Sequence, residues 1–537
     1  MKKISGLEPV LFYAFLALLL VPVWSVDFFV TGDGPCHLHN SKILYDWFHE
    51  KSRLFYDPFY FLNTNINPNL LFYLMTVPLM ALGSPELAEK IFFSVYVISF
   101  GCGFRFLLLQ INPNAKFLSS VALLFCYHTL LMKGFLNNSL SFAVWFWLAA
   151  WWWRKRDEFS IGVMTITSLL ILLLYSAHPI GLTFGILMIL SMITGLWVHE
   201  SKEKGMKESL SMLSKRIQSL MLSGLPTIML FVEYMMRSNM TAEKTPHHFK
   251  DSLNYISHLY SLVTLRTSEE PWALATSVFC LMIAIMALIL RIRQPRLLLT
   301  DGISLFFVLV MLIIAFPPDS ISGGLEVSYR LAIVPFMALL CWAATANFPI
   351  WTQITSQFIA LIIGIGFLTI RLPVHFHASE YASEINSCET HITFPATVFV
   401  LNYDWEGHTP EGQLIADRAS LFSHVDCYLG SKGTVIISDN YEAHFPYFPV
   451  IVRWNTNMYA MTDKEGVNFD NRPPRADILN YSARTGEKID FVLMTGYTET
   501  FKDHPYTQEI LAQLDQAYLR IYTSPHGKAV LYKRKDL

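Results

Sequence analysis

Charge is what this 537-residue chain has least of. Asp, Glu, Lys and Arg make up 15% of it, against about 25% in an average soluble protein. With 53% hydrophobic residues, it is not an ordinary water-soluble protein. The formal net charge of -2 supplies no basic field, which excludes nucleic acid as a partner. The seven cysteines never take the paired C-x-x-C spacing of a zinc or dithiol motif. The C-terminal third lacks a Gly-rich phosphate loop, a G-x-S-x-G and an H-E-x-x-H, so none of the chemistries those motifs carry is indicated. No internal repeat is evident, which counts against a transporter built from duplicated halves.

What the chain has is apolar spans. The first covers 9–30, and others follow at 66–82, 88–109, 117–132, 136–153, 161–177, 179–198, 217–236, 271–291, 298–316, 329–347 and 352–371. Several fall short of the roughly 20 residues a straight crossing needs. Short or broken helices are tolerated where protein or a water-filled cavity surrounds them. The first span follows Met1-Lys2-Lys3 but is long and has many successors, so it reads as a retained anchor rather than a signal peptide. The expected fold is a polytopic α-helical membrane domain over 1–371, then an exterior α/β or α+β domain over 372–537.

Positive charge sets the faces. Arg154–Arg156, Lys202–Arg216 and Arg291–Arg296 belong on the cytoplasmic side. His178, the 237–270 loop, the 317–328 loop and 372–537 then lie outside, as does a first loop over 31–65. Reaching Lys116 inside from that loop takes an odd number of crossings, and only two candidates are available. Either one is re-entrant or one hides two helices, so 11 or 13 transmembrane helices are expected. In the C-terminal domain 434–439, 488–494, 518–524 and 529–534 read as strands, and 409–424 and 505–517 as helices. The segment 42–50, KILYDWFHE, reads as an interfacial helix lying flat on the bilayer. Cys36, Cys388 and Cys427 fall on the exterior side, where a disulfide is allowed; the other four cysteines lie in apolar segments.

The titratable groups of the first loop stand out. Asp33 lies just past the membrane in GDGPCHLHN, and a carboxylate there suits a general base. It equally suits the cap of a helix beginning near Pro35. His37 and His39 are two apart and diverge on a helix; together they offer a metal at most two of the three or more ligands it needs. His37 alone fits a phosphate or sugar hydroxyl. No cofactor is called for, and a divalent metal is the lesser alternative. His178 lies at the rim of a span, before Pro179. In PPDSISGGLEVSYR (317–330), Glu326 and Arg330 are four apart and can pair on a helix. Arg330 opens an apolar span, where a guanidinium needs an anion; a lipid phosphate fits its bidentate fork. A Glu326–Arg330 salt bridge or a snorkelling side chain accounts for it as well. The 237–270 loop adds Arg237, His247, His248, His258, Arg266, Glu269 and Glu270. DNYEAHFPYFPVIVRW (439–454) is an aromatic patch that stacks on sugars or packs onto the membrane part.

The layout resembles multi-spanning bacterial glycosyltransferases of the GT-C superfamily, the group with protein O-mannosyltransferases and the aminoarabinose transferase of lipid A. The likeness covers roughly 1–371 and rests on the opening span, the acidic first loop, many short-looped spans and the exterior C-terminal domain. MKGFLNNSLSFAVWFWLAAWWWRKR (132–156) looks like the corresponding spans of bacterial relatives. The resemblance implies transfer of a sugar from a polyprenyl-phosphate donor to an exterior glycan, lipid or protein acceptor, at the bacterial inner membrane with a periplasmic C-terminal domain. It makes Asp33 the catalytic base. Arg330, with His178 and Arg266, would hold the donor phosphate, supported by His37, Glu326 and Glu269. One departure is plain: family members often carry an acidic pair in this loop, and here Asp33 is followed by Gly34. Two rival readings are a flippase of lipid-linked saccharide and a non-catalytic subunit of a membrane complex.

Overall fold

The computed structural model describes residues 6–237, 249–293, 298–315, 330–331, 333–463 and 473–537. Helix α1 spans Leu7–Leu18, α2 Gly34–Asp46, α3 Leu71–Met80 and α4 Pro85–Ile111. Then come α5 Leu136–Lys155, α6 Ile161–Ala177, α7 Pro179–Glu203 and α8 Met206–Arg237. After these follow α9 Glu270–Ile292, α10 Gly302–Ala315, α11 Val334–Ala343 and α12 Ile350–Asn386. Among the described residues, six helical segments are long and apolar enough to cross a bilayer. Helix α8 shows why they need one. It buries Leu220, Ser223, Gly224 and Thr227 at helical spacing and leaves Met221, Leu222, Leu225, Ile228, Met229 and Val232 exposed. Small side chains pack inward and large apolar ones face out, as suits a lipid surround. The chain is a multi-pass membrane protein.

Ion pairs gather the cationic loops at one end of the bundle. Arg216 bonds Glu200 at 2.7 Å and Asp157 at 2.6 Å. Arg105 grips both oxygens of Glu8 at 2.6 and 2.8 Å, and Arg291 meets Asp301. Asp33, His178 and Arg330 are at the other end, beneath the C-terminal domain. Helix α4 is one continuous rod of 27 residues, so it hides no second helix. The 66–82 candidate contributes only the 10-residue α3, about 15 Å long at 1.5 Å per residue. Both its flanks lie at the domain end: Leu70 N–H donates to Ser176 O, and Glu86 contacts Ser431 and Lys432. It therefore enters and leaves by the same side. Eleven segments then run between the two ends among the described residues.

Two expected spans differ in kind. The helix expected over 9–30 ends at Trp24, after a break past Leu18, and Phe28, Phe29 and Val30 pack inside the protein; Phe28 lies 4.7 Å from the Tyr428 ring of the C-terminal domain. Their apolar character serves a protein core, not lipid. The segment 117–132 breaks into Leu118–Ala122, a 3-10 turn and Thr129–Lys133. It is buried along its length, the setting in which broken helices survive.

Helix α12 runs unbroken for 37 residues, out of the bundle and into the C-terminal domain. There, a five-stranded sheet has the order β3-β2-β5-β7-β6, with β2 Ala396–Asn402, β3 Val435–Ile437, β5 Phe491–Thr495, β6 Tyr518–Thr523 and β7 Ala529–Arg534. Strand β2 pairs in parallel with β3 and β5, while β7 runs antiparallel to β5 and β6. Alternate side chains face opposite layers. Val398, Val400, Phe491 and Leu493 join the core shared with α12, through Ala382 and Ile385. Phe399, Leu401, Val492 and Met494 face Ile510 and Leu514 of α13 (Pro505–Ala517). Four strands and α13 match the sequence expectation. Residues 409–424 form turns instead of the expected helix; Gly407 and Gly412 take positive φ around them.

The first loop is woven into this domain. Strand β1 (Tyr60–Leu62) pairs antiparallel with β4 (Val450–Val452). Asp57 meets Arg453 at 3.1 Å, and Asn440 donates to Asn40 at 2.8 Å. The segment 42–50 is not one helix: α2 ends at Asp46, and a turn with exposed Phe48 and His49 leads to a second short helix, Glu50–Tyr56. The aromatic patch 439–454 packs onto the membrane part.

Candidate active site

Asp33 occupies the turn before α2, and a backbone clamp holds it there. Gly32 N–H donates to Met132 O and Asp33 N–H to Lys133 O, each at 3.0 Å. Gly134 has φ +94°, and a Cβ on it would come within 2.4 Å of the Asp33 nitrogen. Only glycine combines that backbone with that approach. Asp33 holds the N-cap position, yet its side chain makes no capping bond to α2. Capping therefore does not account for this carboxylate.

The clamp aims Asp33 at a group of side chains drawn mostly from the C-terminal domain. His424 Nε2 lies 4.0 Å from Asp33 Oδ1, and its Nδ1 lies 3.1 Å from Asp439 Oδ2. The His424 ring stacks on Tyr441 at 5.3 Å, and Tyr459 O–H donates to Asp439 Oδ1 at 3.2 Å. Behind Asp439, Asp426 is fully buried; burial first, then the Asp439 charge, push its carboxyl well above the usual range. The Asp33 carboxylate, an imidazole and a second carboxylate thus stand in series.

Glu442, from the C-terminal domain, is a further acidic group close enough to Asp33 to feel its charge. It is buried, and burial raises its pKa well above the ordinary glutamate value. The Asp33 charge adds to the rise and the Arg330 guanidinium opposes it. Glu442 thus lies in the fields of both residues. His37, one turn along α2, puts Nδ1 2.7 Å from the Tyr73 hydroxyl and Nε2 3.7 Å from Glu442 Oε1. Burial holds its pKa down to about 3. Burial thus pushes both the imidazole and the facing carboxyl toward their neutral forms. Arg330 contacts His178 Nε2 at 3.3 Å and stacks on the Phe135 ring at 4.5 Å. His178 itself caps α7 through Nδ1, which accepts from Ile180 N–H at 3.1 Å.

Asp33, His37, His178 and Arg330 thus share one neighbourhood at the domain end. Other candidates sit elsewhere. Glu269 is fully buried and accepts from the backbone of Thr264, Leu265 and Arg266. Its charge is met by Arg371 of α12 at 2.8 Å, so it anchors the loop to the bundle. Arg266, on that same turn, contacts no member of the Asp33 group among the described residues. His39 packs against Gly430, where an added Cβ would come within 2.4 Å of its ring; it points away from His37. Among the described residues, no group of three or more His, Cys, Asp or Glu could hold a metal ion. Glu326, His247 and His248 lie outside the described residues. A cavity of about 670 Å³ opens between the end of the first span, α12 and the C-terminal domain. It is lined by residues such as Asp27, Glu384, His408 and His526, apart from the Asp33 group.

Sequence reasoning missed Glu442, His424, Asp439 and Asp426. The one signal was the density of polar groups inside the aromatic stretch 439–454.

No family model matches the chain, and no curated protein matches it. Among solved structures it is similar to ArnT from Cupriavidus metallidurans, crystallised bound to undecaprenyl phosphate. The likeness covers 97% of each chain, with a TM-score of 0.51 and 10% sequence identity. The chain has the ArnT fold. The likeness in fold covers the C-terminal domain as well as the first 371 residues.

Proposed function

We propose that this protein transfers a sugar from a polyprenyl-phosphate carrier to an acceptor hydroxyl on the exterior, periplasmic face of the bacterial inner membrane. The observation that carries the reading is that Asp33 and Arg330, from opposite ends of the membrane domain's sequence, both act on the buried carboxyl of Glu442. The ArnT fold supports it, since that relative holds a polyprenyl phosphate.

The acceptor oxygen attacks the anomeric carbon while Asp33 takes its proton. The bond from that carbon to the carrier's phosphate oxygen breaks, and the phosphate leaves with the electron pair. The leaving group is already anionic, so fixed positive charge contributes most. Arg330 supplies it, held over Phe135 and against His178. Glu442, kept neutral, donates a hydrogen bond instead of repelling the phosphate. His424 accepts the proton from Asp33 as the site resets, with Asp439 stabilising the imidazolium.

The test is binding of undecaprenyl phosphate to purified protein in nanodiscs. A charge-assisted hydrogen bond contributes about 1.5–3 kcal/mol, so Arg330→Gln should weaken binding by about 10- to 150-fold. Equal affinity in wild type and variant would remove Arg330 from the phosphate site.

A further inference from the structure

Two thiols face each other under the candidate site. Cys36 Sγ lies 3.3 Å from Cys427 Sγ, and both are fully buried. The two positions are 391 residues apart. Cys36 is in the first turn of α2, three residues past Asp33. Cys427 is three residues past His424, in the 3-10 segment Val425–Ser431. Each thiol also donates to the backbone carbonyl of Asp439, at 3.4 and 3.3 Å. One contact therefore touches the strands of chain that carry Asp33, His424 and Asp439.

No other described pair of the seven cysteines has a recorded sulfur contact, and Cys388 instead donates to the Ile385 carbonyl. Apolar packing alone does not need two cysteines at one spot, and each is a stronger reductant than the small hydrophobes that would fill it. Disulfides form and persist in the oxidising compartment outside the inner membrane. The exterior placement argued above puts this pair there.

We propose that Cys36 and Cys427 are a modification site, oxidised to a disulfide that fastens the Asp33 turn to the C-terminal domain. The oxidant is a protein disulfide of that compartment, acting before the thiols are buried. One Cys thiolate attacks the donor disulfide and forms a mixed disulfide, releasing one donor thiol. The second Cys thiolate then displaces the other donor sulfur. The sulfur–sulfur bond of the donor is broken, that of the protein is made, and the two protons leave on the two donor thiols. Burial pushes the Cys36 thiol up to about 11, which makes its thiolate a poor leaving group, so an external thiol reopens the closed bond slowly.

The proposal rests on the exterior placement, and the experiment separates the two. Full-length protein, extracted under acid quench without reductant, is denatured and alkylated with maleimide, then digested and mapped. The expected result is a Cys36–Cys427 linked peptide that disappears on reduction, with Cys102, Cys126, Cys280, Cys341 and Cys388 alkylated. In Cys36→Ser the linked peptide is lost and Cys427 becomes alkylated. Alkaline phosphatase fused after Leu537 reports the compartment independently. An active fusion with Cys36 and Cys427 both alkylated overturns the disulfide alone. An inactive fusion overturns the placement beneath it.

Discussion

Replacing Asp33 by Asn separates chemistry from architecture in one substitution. The clamp that holds this residue uses only its backbone, through Lys133 O, and its side chain makes no capping bond to α2. Asparagine is an isostere and an equally good N-cap residue. The fold should therefore persist, with any loss of stability near the roughly 1 kcal/mol usual for a point substitution, since asparagine keeps the shape and loses only the carboxylate charge beside His424. Losing a general base costs about 10²–10⁴-fold in rate, or roughly 3–5 kcal/mol of barrier at 1.36 kcal/mol per decade. The assay is single-turnover transfer from a polyprenyl-phosphate sugar in nanodiscs, beside thermal unfolding of the same preparation. Carrier binding should persist, because the phosphate site is built on Arg330. Wild-type transfer by the variant would refute Asp33 as the base. A parallel collapse of stability and rate would show instead that the carboxylate is structural.

The remaining expectations concern charge and burial. Glu442 holds its proton more tightly in the folded protein than in the unfolded chain, so its stabilising contribution is full below the ordinary glutamate range and declines as pH rises toward the raised folded value. Glu442→Gln should flatten that alkaline loss in melting curves between pH 5 and 9; an unchanged slope would mean that the carboxyl is ionised in the native state. His37 behaves oppositely. Its pKa falls from 6.5 to about 3 on folding, so its contribution is present above 6.5 and is lost as pH falls toward 3. His37→Gln should melt with less acid sensitivity over that window, and identical acid profiles would contradict the buried neutral ring. Glu269→Gln leaves Arg371 buried without its carboxylate, a change that costs about 3–5 kcal/mol. It should lower the yield of monodisperse protein; a stable variant that fails only in carrier binding would return Glu269 to the site.

Part of this was legible in advance. Asp33, His37, His178 and Arg330 stand out because each is a polar group at the edge of an apolar run. Glu269 stood out for the same reason and belongs to a buried ion pair with Arg371: a costly charge marks a partner, and hydropathy does not say whether the partner is substrate or protein. The run 9–30 misled differently. Apolar residues bound for a protein core and those bound for lipid have the same composition, so Phe28–Val30 extended a span that ends earlier. Residues 409–424 carry helical composition but are held in turns by contacts such as Asp417 N–H to Leu265 O, made with a distant loop.

The sequence by itself determined the membrane class, the separation of cationic loops from Asp33, and four strands of the C-terminal domain, but not the inner strand β2. Those properties arise from local hydropathy, local charge and period-two alternation, and each acts over a few residues. Only the tertiary structure decided which second acid lies near Asp33, which imidazole stands beside it, and which cysteine meets Cys36. Pairing β1 with β4 brings the chain's two ends together. The fields and contacts that Glu442, His424 and Cys427 then acquire depend on distance through space, which leaves no periodic trace along the chain.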